Sequence, residues 1–125
     1  MLHSRIKRVE EEYRHAMAEI LNYEIDDPRV DFASVSYVHI SKDLSNAMVG
    51  ISLLQDDPEQ AREAMDAIES ARGYIKCQLA RRIRLKRLPD PHFKLDTGLK
   101  EAFELYKVME EVRQNDPPID LDEEE

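Results

Sequence analysis

Apolar residues along the first 25 positions recur at Ile6, Val9, Tyr13, Met17, Ile20 and Leu21, with Ala16 beside them. Steps of three and four place them on one face of a helix. Arg5, Lys7, Arg8, Glu11, Glu12 and Arg14 fall on the opposite face. Ser4 can cap this helix, which is expected to end near Ile25 because Pro28 disfavours helical geometry at Asp27. The period then changes to two. Residues 33–40 and 46–54 are rich in β-branched and aromatic side chains and read as strands. In the second, Ala47, Val49, Ile51 and Leu53 point one way and Met48, Gly50 and Ser52 the other. In the first, Val38 and Ile40 share a parity that Val35 lacks, which a bulge between them reconciles. The polar link 41–45, with Asp43 as turn former, makes the pair a β-hairpin.

Helical spacing returns after Asp57-Pro58-Glu59-Gln60, where Asp57 caps, Pro58 takes the first position and Gln60 can close a capping box. Ala61, Ala64, Met65 and Ile68 form its apolar face, which continues through Ala71 into Ile75, Leu79 and Ile83. That stripe passes Gly73, a residue costing about 1 kcal/mol relative to alanine inside a helix. Two helices meeting at a kink at Ala71-Arg72-Gly73 give the glycine a reason. Pro89 and Pro91 end the helical region, and His92-Phe93-Lys94-Leu95 has the length of one strand. Thr97 can cap a last helix with Leu99, Ala102, Phe103, Tyr106 and Met109 on one face. The expected organisation is an α+β unit over 1–96 in the order α-β-β-α-kink-α-β, a C-terminal helix over 97–114, and a disordered acidic tail over 115–125.

Charge changes this picture in one place. The net charge of −9 argues against nucleic acid, yet residues 116–125 carry six acids and no base, and without them the balance is −3. Between Ala71 and Pro89 there is no Asp or Glu, while Arg72, Lys76, Arg81, Arg82, Arg84, Lys86 and Arg87 all fall there. Solvated helix faces usually interleave acids as intrahelical partners. Nineteen acid-free residues with seven cations therefore favour a surface for a polyanion such as RNA, whose phosphates need clustered cations. Gly73 fits two readings: a bare backbone that lets a phosphate approach the following helix, or a gap for tight helix packing. Arg5, Lys7 and Arg8 can extend the same surface or stand as an ordinary solvated cluster.

Other chemistries find little support. His3, His15, His39 and His92 are scattered, without helical ligand spacing. Asp26-Asp27 and Asp56-Asp57 each precede a proline and read as loop and cap residues. The single cysteine, Cys77, excludes an internal disulfide, and no phosphate-binding loop motif occurs, so no cofactor or metal is expected. No run approaches the roughly 18 apolar residues of a membrane span. A cytoplasmic protein without enzymatic activity is expected. A module whose basic face docks an acidic protein is the alternative, and a nuclease a distant third.

Asp27-Pro28-Arg29-Val30, Val35, Val38, Ser41-Lys42-Asp43-Leu44 and Ala47-Met48-Val49 resemble the central signature of the ribosome-binding factor A family. The stretch from Ala67 through Ala71-Arg72-Gly73 to Lys76 is similar to that family's segment around an Ala-x-Gly kink. Arg81-Arg82-Ile83-Arg84-Leu85-Lys86, then Pro89, Phe93 and Asp96, continue the match, although Pro91 stands where the family usually has an aliphatic residue. The resemblance implies a KH-like domain of type II topology, with helices on one face of a three-stranded sheet. In it the Ala71-Arg72-Gly73 kink replaces the Gly-x-x-Gly loop of RNA-binding KH modules. It further implies a monomeric, non-enzymatic factor that binds the free small (30S) ribosomal subunit and its 16S rRNA. Such factors promote late maturation and 5′-end processing of that RNA, especially in the cold.

Overall fold

The computed structural model describes residues 2–54 and 57–115. Its elements are helix α1 (Leu2–Glu19), strands β1 (Ala33–Ile40) and β2 (Asn46–Leu53), helices α2 (Pro58–Ser70) and α3 (Arg72–Arg82), strand β3 (Asp90–Leu95) and helix α4 (Gly98–Asn115). This is the type II KH-like order expected from the sequence. Helix α1 begins two residues before Ser4, which therefore lies inside the helix instead of capping it. Its far end relaxes into a π-helical turn, Ile20–Glu24, and the chain becomes extended at Ile25. Asp27 then accepts the Arg29 N–H at 3.0 Å and caps a short 3₁₀ turn, Pro28–Val30. The acidic tail expected over 115–125 lies, beyond Asn115, outside the described residues.

The sheet has the order β1-β2-β3, with β1 antiparallel and β3 parallel to the central β2. The register shifts between Val35 and Tyr37, so Ser36 is the extra residue of the bulge. This lets Ala33 and Val35 before the bulge, and Val38 and Ile40 after it, all face Leu53, Ile51, Val49 and Ala47 on the inner side. Strand β3 is an edge, and its N–H groups at Asp90 and Asp96 go to Ser45 and Ile51 of the β2 side. Positions of Pro91's parity thus donate away from the sheet, so a residue with no N–H is accepted there. The hairpin turn closes on Asp43, whose carboxylate accepts from the Ser41 hydroxyl (2.7 Å), the Ser45 hydroxyl (2.7 Å) and the Ser45 N–H (3.1 Å). Leu44 completes the turn at φ 62°, the one non-glycine residue with positive φ among those described.

Helices cover one sheet face. Tyr13 and Met17 from α1, Ile20 from the π-helical turn, Ile68 from α2, and Ile75 and Leu79 from α3 are fully buried with Ala47, Val49 and Ile51. The other face is open: His39, Met48, His92 and Lys94 are exposed, and the Tyr37 ring lies where a side chain at Gly50 would stand. Asp57 caps α2 by accepting the Glu59 N–H at 3.0 Å, with Pro58 first in the helix. The apolar face of α4 is uncovered, Leu105, Tyr106, Val108, Met109 and Val112 each being more than half exposed. No helix among the described residues is long and apolar enough to cross a membrane.

Candidate nucleic-acid interface

The break between α2 and α3 falls on Ala71, which leaves helical geometry at φ −89° and ψ 6°. Its N–H still donates to Ala67 and Ile68 carbonyls, and its own carbonyl accepts the Ile75 N–H at 2.9 Å to begin α3. The apolar stripe continues across this joint, with Ala64, Ala67, Ile68, Ile75, Leu79 and Ile83 buried. Gly73 is therefore not the bend itself. It sits in the first turn of α3 without positive φ, and a methyl group added there would meet nothing within 4 Å. Tight packing does not account for it. What remains is a bare, exposed Cα at a helix start that no side chain caps.

The seven cations of 71–89 divide into two groups. Arg72 and Lys76, one turn apart on α3, reach the start of β3. Arg72 Nη2 lies 2.7 Å from Asp90 Oδ2 and Lys76 Nζ 3.0 Å from Asp90 Oδ1. Arg72 also donates to the Pro91 carbonyl. The Lys76 ammonium, followed by the Arg72 charge, holds the Asp90 carboxyl below its ordinary value. Arg82 pairs with Glu24 in the π-helical turn that ends α1. These three cations fasten α3 at both ends, to β3 and to the turn that follows α1. By contrast, Arg81, Arg84, Lys86 and Arg87 are exposed and make no ion pair among the described residues.

The segment 83–89 holds three of those free cations in place by an in-and-out pattern. Ile83 and Pro89 are buried, Leu85 and Leu88 are half-buried against the core, and Arg84, Lys86 and Arg87 face solvent. Its end is pinned by the Tyr13 hydroxyl, which donates to the Pro89 carbonyl at 2.9 Å. Burial pushes the Tyr13 pKa far above its ordinary value, so the hydroxyl remains a donor. The sequence offered Tyr13 only as a core residue. A bond spanning 76 positions leaves no local signature.

Arg5, Lys7 and Arg8 are exposed on α1 without ion pairs among the described residues. They stand toward the hairpin end of the sheet, where Glu10 accepts the Ile40 N–H at 2.8 Å. Sixteen residues separate Arg8 from Glu24, about 24 Å of helix, so this cluster does not join the Arg81–Arg82 end of α3. Cys77 is exposed and unbonded. Among the described residues, no three or more His, Cys, Asp or Glu side chains converge as metal ligands.

The sequence profile of the family described as Ribosome-binding factor A matches residues 5–109. The ribosome-binding factor A of Halorhodospira halophila is 35% identical over 116 residues, covering 93% of this chain and 90% of that protein. Among solved structures, the crystal structure of ribosome-binding factor A from Thermus thermophilus is 30% identical with a TM-score of 0.64, over 72% of this chain and 93% of that one. A homology model of the Thermus thermophilus protein, fitted into the cryo-EM map of a 30S complex of ribosome-binding factor A, is similar at TM-score 0.60 and 29% identity, over 71% of this chain and 92% of that one.

Proposed function

Since the chain belongs to the ribosome-binding factor A family, we propose that it is a non-catalytic assembly factor of the cytoplasm that binds the free small ribosomal subunit through 16S rRNA. On this reading it acts as a monomer in late maturation and 5′-end processing of that RNA, with a part in cold adaptation. The observation that carries the reading is the division of the cations. Arg72, Lys76 and Arg82 are spent on fixing α3, while Arg81 at the end of α3 and Arg84, Lys86 and Arg87 on the supported segment after it are held outward without counter-charges among the described residues.

The mechanism is positioning. The four free cations hold phosphates, the α2–α3 joint sets the direction of the arm, and bare Gly73 lets a phosphate approach the α3 N-terminus, where backbone N–H groups favour anions. Arg5, Lys7 and Arg8 add a further contact, too far along α1 to engage the same phosphates as Arg81.

Four phosphates neutralised on single-stranded RNA give a log–log salt slope of roughly −3. Titration of a small-subunit rRNA fragment at several salt concentrations measures this, and a flat response rejects the proposal. The R81E/R84E variant is expected to stay folded, lose rRNA affinity and cease to co-sediment with free small subunits. Unchanged binding by that variant would place the site elsewhere. Binding that survives ribonuclease treatment would favour an acidic protein partner instead.

A further inference from the structure

A groove of about 250 Å³ lies between the 3₁₀ turn, the end of the hairpin and the first turns of α2. Pro28, Phe32, Leu53, Ala61 and Ala64 supply an apolar lining. The lining residue Phe32 is 51% exposed, and Leu54, next to Leu53 and 85% exposed, donates its N–H to the Phe32 carbonyl at 3.3 Å. Neither belongs to the core, so two large apolar side chains are displayed at strand ends next to the cavity lining.

The rim is acidic. The one lining cation, Arg29, is neutralised by the Asp27 carboxylate at 2.7 Å. Glu63 lines the groove and Asp66 lies one helical step away. Both act electrostatically on Arg29. Asp31, beside Phe32, is exposed, and none of Asp31, Glu63 and Asp66 makes a direct ion pair among the described residues. No lining residue belongs to α3 or to 83–89, so this surface is distinct from the cationic arm. Its charge repels a phosphate backbone and attracts cations.

We propose that this groove docks a Lys/Arg-rich protein segment, inserting one apolar side chain against Phe32 and Leu53 while its cations meet Asp31, Glu63 and Asp66. The proposal rests on the small-subunit reading above: the segment is an extension of a protein component of that subunit, so the factor holds RNA with one surface and protein with the other. Opposite charge on the two surfaces fixes which faces which.

The test compares wild type, Phe32→Ser and Glu63→Lys/Asp66→Lys in co-sedimentation with purified free small subunits, and in parallel on the naked rRNA fragment. The substituted side chains are exposed, and thermal melts check that the variants fold. Both variants are expected to bind the subunit at least about tenfold more weakly, the scale of an interface anchor. Neither is expected to bind naked RNA more weakly than wild type. Undiminished subunit binding overturns the proposal, and so does a parallel loss on naked RNA. A photo-crosslinking residue at position 60, irradiated on the subunit and digested with ribonuclease, is expected to yield an adduct with a Lys/Arg-rich peptide. An adduct to RNA, an adduct to a second copy of this chain, or no adduct at all overturns it. Failure of wild type itself to co-sediment sinks the small-subunit reading instead, which keeps the two failures apart.

Discussion

Replacing Arg72 by alanine separates two roles that one basic residue can have. Arg72 bonds Asp90 at 2.7 Å, donates to the Pro91 carbonyl, and is only 26% exposed at its side chain. A solvent-screened ion pair contributes about 0.2–1 kcal/mol. A hydrogen bond from a charged donor to a carbonyl contributes about 1.5–3 kcal/mol when buried, and less here because the site is partly open. Lys76 still faces Asp90 after the substitution, so the carboxylate is not orphaned. The expected loss is about 1–2 kcal/mol. At roughly 4 °C per kcal/mol, where the ranges for smaller and larger domains meet, the melting temperature falls by about 4–8 °C. Arg81→Ala, at an exposed side chain without an ion pair, is expected to change stability by no more than about 0.5 kcal/mol. Binding reverses the order: Arg81→Ala reduces the magnitude of the rRNA salt slope by about 0.7, and Arg72→Ala leaves it unchanged. The pH dependence gives a second check. Asp90 has its folded pKa lowered below 3.8, so its contribution is complete above that value and is lost as pH falls through the lower folded value. The penalty of Arg72→Ala should therefore shrink below about pH 4. An Arg72→Ala protein that melts like wild type and loses salt slope as Arg81→Ala does would refute the division of cations.

Tyr13→Phe removes a buried donor from the Pro89 carbonyl. It should cost about 1–2 kcal/mol in denaturant unfolding, with faster amide exchange at Asp90, whose N–H bonds the Ser45 carbonyl beside Pro89, and normal exchange there would mean that the bond does not hold the arm. Gly73→Ala places a methyl group in open space on a helix. Its denaturant midpoint should rise, by about 0.5–1 kcal/mol in stability, while rRNA affinity falls. A variant that is more stable and binds as well as wild type would remove the bare backbone from the interface. The Asp43 pKa is pushed down from 3.8 to about 2, first by the Ser41 hydroxyl and then by the Ser45 hydroxyl and N–H. Its support of the hairpin is thus present above about pH 4 and lost as pH falls toward 2. Following the carboxyl by NMR, an Asp43 that titrates at the ordinary value would contradict the turn geometry.

Periodicity carried most of the architecture. The spacing Val9–Tyr13–Met17–Ile20 defined α1. The parity change between Val35 and Val38 located a bulge, and Asp57-Pro58 marked the start of α2. These signals are local because they follow from 3.6 residues per helical turn and two per pleat. The acid-free run 71–89 was equally plain in the sequence, as was the kink, within two residues. Which cations remain free was not. Arg72 and Lys76 meet Asp90, 18 and 14 positions away, and Arg82 meets Glu24, 58 positions away, only because α3 crosses both the start of β3 and the end of α1. The position of Pro91 became acceptable only once β3 proved to be an edge. Gly73 looked like the bend, but the helix breaks at Ala71 and leaves the glycine pointing at solvent. Backbone periodicity is written in neighbouring residues, so the sequence alone determined the elements, their order and the basic run. The partner of a long side chain depends on how elements approach one another, and only the tertiary structure decided which charges are consumed in holding the fold and which are left exposed without an ion pair among the described residues.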